Sequence, residues 1–370
     1  MKRYFLGLAA NYDAEDRRAQ LFSLGRDEDR TDLAKFLERK YDGKAILTKN
    51  GRSALALALK AYFKEGDRII VNGFTCFAVY EAVKEVGLVP VFADITRKDL
   101  NFSIETLEKV LKMSEEKPRG IIIQNTFGNP VDIEAIEKFA KENDLVIIED
   151  LAHATGVRYP DGREVGTVGV ATALSFGKEK SIDTISGGAV ILRHPCLNEI
   201  EAPSKAPKLS DHLRARFYPT FGAACRALSH IHLGGVLMKI LIKIHWVERS
   251  ADNKLDCERK ISKFEARLAL RQIKSLKRSG EVPLREFYLV KERDLVLKKL
   301  AEKGYYFGGF WYEKPVSPER YYKKVHFPEK ECPNAVFISE HIINFPNYYT
   351  RRILEPARKI VQDYLIKEGE

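Results

Sequence analysis

Three short stretches hold the residues best suited to covalent chemistry. Lys180 stands in Ser-Phe-Gly-Lys-Glu-Lys-Ser, between an apolar run and the Gly187-Gly188 pair. A lysine amine attacks a carbonyl carbon only when neutral, so burial or a neighbouring cation has to lower its basicity. Most lysines are solvated surface charges, and Lys178 is an equally basic neighbour. Asp150 ends the apolar run Leu-Val-Ile-Ile-Glu-Asp. A carboxylate at the carboxyl end of a parallel strand is where such sheets hold ligands, although aspartate also caps turns and helices there. Asn50, Gly51, Arg52 and Ser53 lie between Ala-Ile-Leu-Thr and an alanine- and leucine-rich helix. A helix start of this kind suits a phosphate monoester, and it serves equally as a plain Asn or Ser cap. It lacks the spacing of a nucleotide-binding loop.

The elements that must carry these residues read clearly between Arg30 and Asp150. Apolar runs (AILT, RIIVN, VPVFADI, GIIIQN, LVIIED) alternate with amphipathic stretches (DLAKFLERKY, SALALALKAYF, AVYEAVKEV, SIETLEKVLKM, DIEAIEKFAKEN). Continuous apolar strands separated by helices predict a mostly parallel sheet covered on both faces. Beyond Asp150, TVGVATALSF and GGAVIL read as strands flanking the polar GKEKSIDTIS, which makes a loop suited to chemistry. A helix from Ile261 to Leu276 leads to a second region that ends in the helix ILEPARKIVQDYLI. We expect an N-terminal arm (1–30), a large α/β domain (31–280, with an insertion at 203–250) and a small C-terminal domain (281–370).

Composition narrows the function classes. The 370 residues are 45% hydrophobic and 31% charged, within the globular range. Five cysteines without Cys-x-x-Cys spacing predict neither disulfides nor a metal site, and with no signal peptide or long apolar run evident they point to the cytoplasm. The net charge of +10 raises the question of nucleic acid, but eight Lys or Arg against two acids fall between Pro203 and Ser250. Charge concentrated in one segment, away from any recognition helix, argues against nucleic-acid binding.

The ordered motifs G-R-S-A-L, F-T-C-F, F-G-N-P-V-D, I-E-D-L-A-H-A, S-F-G-K-E-K and G-G-A-V, with a late N-F-P-N-Y-Y-T, resemble the DegT/DnrJ/StrS family of sugar aminotransferases. The resemblance implies a fold-type I architecture, a three-layer α/β/α domain with a small C-terminal α+β domain, and pyridoxal 5′-phosphate (PLP) as cofactor. It implies that Lys180 carries the cofactor and that Asp150 faces its ring nitrogen, keeping the ring protonated. His153 falls near the cofactor's phenolic oxygen. Ser175, with backbone groups of Gly51, Arg52 and Ser53, falls at the phosphate. The chain departs from the family in three places. Arg52 stands where a threonine is usual, and Cys76 stands where an aromatic residue stacks on the ring, with Phe77 beside it. Cys-Glu-Arg-Lys at 257–260 replaces an Asn-Tyr-Arg stretch whose asparagine reaches the phosphate from the partner subunit, leaving Asn253 as a substitute.

The resemblance implies transfer of an amino group from an amino acid, by family habit glutamate, to a nucleotide-linked keto-sugar within a homodimer. A sugar dehydratase of the same family would carry histidine in place of Lys180. A non-catalytic binding or regulatory descendant would lack the reaction altogether. In the basic segment 217–250, Leu233, Leu237, Ile240, Leu241 and Ile244 recur at helical spacing, with Lys239 and Lys243 on another face. That pattern fits a helix packed on its own dimer, the reading favoured here because such faces are ordinarily core. It also fits a peripheral contact with an anionic membrane.

Overall fold

A seven-stranded sheet organises the larger part of the molecule. The computed structural model describes residues 4–6, 14–22, 25–193, 195–229, 231, 233–244, 246–247, 254–276, 283–307, 311–347 and 351–367. Across the sheet the strands run Lys44–Thr48, Gly188–Leu192, Ala171–Ser175, Val146–Asp150, Gly120–Ile123, Arg68–Asn72 and Val89–Ala93. Five neighbouring strands, from Ala171–Ser175 to Val89–Ala93, are parallel. Gly188–Leu192 is antiparallel to both of its neighbours. The parallel expectation therefore holds for the alternating part of the chain, and the tight return after the lysine loop reverses one strand.

The central strands are apolar throughout because helices cover both faces. Ile121 and Ile123 face one buried cluster with Leu33, Leu37 and Ile136, while Ile122 and Ile148 face another with Leu55, Leu59 and Val83. Alternate residues of a strand point to opposite faces, which is why an unbroken Ile-Ile-Ile run is tolerated here. The helix Gly51–Tyr62 is buried over most of its surface, which its Ala-Leu repeat permits by allowing close approach.

A separate apolar cluster, including Val290, Leu300, Phe345, Leu354 and Val361, gathers around a two-stranded antiparallel sheet, Arg285–Leu289 with Ile342–Pro346. The chain between these two strands returns to the large sheet's cluster through Val316, Ala335 and Ile338. Asp94 accepts hydrogen bonds from the backbone N–H groups of Asn334 and Ala335, at the start of the helix Pro333–His341. A carboxylate there satisfies two N–H groups that the helix leaves without partners.

The basic segment forms two helices, Leu209–Ser229 and Gly234–Lys243. Leu237 and Leu241 face inward: Leu241 is buried with Ala215, Tyr218, Cys225 and Phe264, and Leu237 packs against the same cluster. Ile240, Ile244 and Leu233 are exposed. The single apolar face predicted for this helix is therefore divided, because residues three and four apart span two sides once a neighbouring helix occupies one.

Candidate active site

The carboxyl ends of the parallel strands converge on one cavity, and the loop between Ala171–Ser175 and Gly188–Leu192 closes over it. Gly51, Arg52, Cys76, Asp150, His153, Ser175 and Lys180 all line it. Seven residues singled out from sequence, spread over 130 positions, are thus brought together. Ser53 and Phe77 are not. The Ser53 N–H and hydroxyl both donate to Asn50 Oδ1, at 2.8 and 2.9 Å, and its hydroxyl accepts from the Asp256 N–H. Ser53 is therefore part of a helix cap, and the expectation that its backbone binds an anion is corrected. Phe77 stacks on Tyr321 with ring centroids 4.4 Å apart, because it opens a helix that turns its side chain toward the C-terminal region. Asn253 lies outside the described residues.

Asp150 and its neighbour Glu149 show how the strand assigns roles. Glu149 points to the covered face, where it accepts from Tyr159 Oη and from the N–H groups of Gly166, Val168 and Gly169. Its oxygens are fully engaged in holding a loop. Asp150 points to the cavity and accepts from the Ala152 N–H at 2.9 Å. Burial raises its carboxyl above the ordinary value, opposed by that hydrogen bond and by Lys180. A cationic ring nitrogen brought to this carboxylate would supply the positive partner that burial makes favourable.

Burial lowers the Lys180 amine below the ordinary lysine value; Cys76, Asp150 and Glu179 pull it back up, and Arg285 pushes it further down. Its Nζ lies 4.4 Å from the centroid of the Trp311 ring. Lys178 also reaches the cavity, but its Nζ stands over the Tyr218 ring, toward the basic helices. Of the two lysines, Lys180 is the one whose charge acts on Asp150. Gly187 permits the tight return behind the loop at φ +102°, and Gly188 lies so close to Asn50 that a β-carbon would be 2.7 Å from its carbonyl carbon.

His153 is buried and held at both nitrogens. Nδ1 accepts from the Phe127 N–H at 3.2 Å, and Nε2 lies 3.2 Å from Tyr312 Oη. Burial holds its pKa well below the ordinary value, and Lys180 and Arg285 reinforce this. A neutral imidazole whose Nδ1 accepts carries its proton on Nε2. The ring stacks on Trp311 with centroids 5.2 Å apart.

The residues present fit a phosphorylated pyridine aldehyde. A β-carbon on Gly51 would lie 2.4 Å from Ser175 Cβ, so the helix start and the Ser175 hydroxyl form one narrow seam at its positive end. Arg52 fits where a smaller residue is usual because its side chain is ion-paired with Glu81. The Gln124 side chain is buried with its Oε1 unpartnered at the cavity wall. An orphaned acceptor of this kind is costly unless a ligand donor meets it. Gln124 follows a parallel strand, a position that sequence reasoning could have flagged. Trp311, Tyr312 and Arg285 arrive from the C-terminal part and carry no local signal. Among the described residues, no group of three His, Cys, Asp or Glu could hold a metal ion.

The match to known proteins agrees with this geometry. Residues 18–362 match the model of the DegT/DnrJ/EryC1/StrS aminotransferase family. The chain belongs to that family. PLP is the family's cofactor. GDP-perosamine synthase of Escherichia coli O157:H7 is 36% identical over 158 residues, 42% of each chain. GDP-4-keto-6-deoxy-D-mannose 3-dehydratase of Yersinia pseudotuberculosis is 31% identical over 43% of this chain and 41% of its own length. The alignments thus span less than half of these curated relatives. In fold, the crystal structure of a DegT DnrJ EryC1 StrS aminotransferase from Brucella abortus superposes with a TM-score of 0.66 at 19% identity, covering 95% of this chain and 96% of that one.

Proposed function

We propose that this chain is a PLP-dependent aminotransferase that moves an amino group from an amino acid, by preference glutamate, to the carbonyl of a nucleotide-linked keto-sugar. The observation that carries the reading is a Lys180 amine of lowered basicity in one cavity with Asp150 and the Gly51–Ser175 seam. When bound, PLP supplies an aldehyde that condenses with amines and a protonated ring that accepts the electron pair released at the α-carbon.

The chain's own residues then divide the work. Gly51, Arg52 and Ser175 hold the phosphate end, and Asp150 keeps the ring nitrogen protonated. His153 presents its Nε2–H beside Tyr312 and orients the ring substituent. Lys180, its amine made less basic by burial, would hold the cofactor and then carry the proton away from the donor's α-carbon and back. The donor leaves as a keto acid, and the acceptor's carbonyl carbon becomes an amine-bearing carbon. Family membership and the free cysteines Cys76, Cys196, Cys225, Cys257 and Cys332 support a homodimer acting in the cytoplasm. The small domain in this reading begins near residue 281.

A relative named as a dehydratase motivates the alternative of sugar dehydration. Lys180 opposes it, since the dehydratase reading requires histidine at that position. The deciding experiment is the absorption spectrum of the PLP-loaded protein. Adding glutamate is expected to bleach the long-wavelength band of the intact protein and to leave Lys180→Ala unchanged. Borohydride reduction that tags another lysine, or none, overturns the proposal, and a band indifferent to every amino acid leaves cofactor binding without transamination. Sedimentation equilibrium tests the dimer.

A further inference from the structure

The two helices of the basic segment bury one side and leave the other apolar and open. On the outer side Leu233, Val236, Ile240 and Ile244 are each 50 to 54% exposed. Leu213, Phe217 and Trp246 are exposed as well, and the Trp246 ring packs 6.3 Å from Phe217 and 5.5 Å from Phe221. Trp246, just past the end of the second helix, thus packs on the aromatic residues of the first. A helix facing water ordinarily presents polar residues there, and a contiguous apolar patch marks a surface that meets something.

Charge identifies the occupant. From His212 to Val247 there is no Asp or Glu, while Arg214, Arg216, Arg226, Lys239 and Lys243 are basic. Lys239 and Lys243 are exposed and alternate with Ile240 and Ile244 on the outer side. A two-fold contact of this face with its own copy would gather the lysines of both copies into one interface, with no carboxylate between His212 and Val247 to pair them. Aliphatic residues flanked by lysine, with a tryptophan at the edge, are instead the composition of a surface that enters the boundary of an anionic bilayer. No helix among the described residues is long and apolar enough to cross a membrane, so the contact is peripheral.

We propose that the exposed stripe Leu233, Val236, Ile240 and Ile244, with Lys239 and Lys243 beside it, seats the protein on an anionic lipid surface. The inner side of the same helices carries Tyr218, over which Lys178 of the candidate cavity stands at 4.7 Å. The seat thus brings the cavity close to the lipid. This proposal is independent of the reaction assigned above.

Flotation of the full chain with vesicles tests it. The protein is expected to float with phosphatidylcholine vesicles containing phosphatidylglycerol and to bind phosphatidylcholine alone far less. Val236→Asp with Ile240→Asp is expected to lower the bound fraction at least about tenfold, since two half-exposed aliphatic side chains no longer leave water. Lys239→Glu with Lys243→Glu is expected to lower it by a similar factor on anionic vesicles only. Leu237 and Leu241 are unsuitable because they pack inward. Circular dichroism melting confirms folding, and if the aspartate pair fails to fold, the exposed lysine pair carries the test. A folded intact protein that stays out of the lipid fraction overturns the proposal. So does a Val236→Asp, Ile240→Asp protein that falls from a larger to a smaller oligomer, which would assign the face to contact between copies.

Discussion

Asp150 and Glu149 are adjacent acids on one strand, and their fates differ only by which face each occupies. Glu149 meets a hydroxyl and three backbone N–H groups; Asp150 meets one N–H and an open cavity. Gln124 shows the same contrast in a neutral side chain, since its buried Oε1 has no partner. Leaving such an acceptor unmet costs on the order of 1–3 kcal/mol. Gln124→Leu should therefore raise the melting temperature of the cofactor-free protein while weakening PLP binding, opposite effects that mere loss of packing does not produce. Melting curves and an absorbance titration with PLP check both halves. A variant that loses stability and binds PLP normally would show that Gln124 serves the scaffold alone.

Secondary elements decide how much of this could be read in advance. The apolar runs from Lys44 to Asp150 are strands and the stretches between them are helices, because a covered parallel sheet needs that alternation and little else produces it. Lys180, Asp150, His153 and Ser175 were legible because each sits at a strand end or in its following loop. Trp311 and Arg285 were not, because what places them in the site is the folding of the C-terminal part against the lysine loop, which no local pattern encodes. Ser53 was misread because a helix start offers both a cap and an anion site, and here Asn50 claims the N–H. Gly51→Ala tests what remains of that anion site. Its β-carbon would press on Ser175, so PLP affinity should fall at least about tenfold, read by absorbance titration, while overpacking costs about 1–3 kcal/mol. The helix Lys263–Lys274 adds a pH-dependent term. Glu265 closes a capping box with Ser262, and burial lifts its carboxyl to about 7, opposed by the Ser262 hydrogen bonds, with Asp211 raising it and Lys49 lowering it. The folded chain therefore keeps a proton that the unfolded chain releases near 4.5. The stability this provides is complete at lower pH and is lost as pH rises toward 7, by roughly 2–3 kcal/mol. Glu265→Gln preserves the cap and should remove that slope, so urea unfolding at pH 5 and pH 8 should differ less than in the parent protein.

At the scale of the whole molecule, one buried arginine links the small sheet to the lysine loop. Arg285 donates from Nε to Asn344 Oδ1 at 2.6 Å and from Nη1 to Glu179 Oε2 at 3.1 Å, and its guanidinium lies 4.6 Å from the Trp311 centroid. Glu179 directly precedes Lys180, so the C-terminal part both anchors the loop and places a positive charge near the amine. Replacing Arg285 with methionine removes that charge and leaves the Glu179 carboxyl buried without it. Loss of that charge favours the protonated amine, so the Lys180 pKa should rise and the acidic limb of the pH–rate profile should move to higher pH, although the Glu179 carboxyl, freed from Arg285, shifts toward its neutral form and offsets part of the rise. Stability should fall by about 3–5 kcal/mol, since one partner of a buried pair is left alone. Arg285→Lys separates the two effects: its ammonium restores the charge and with it most of the pH limb, but it cannot fork to Asn344 and Glu179 together, so stability should stay low. An unmoved limb in Arg285→Met, at a pH where the protein is folded, would reduce Arg285 to a structural tie and place control of the lysine in burial alone.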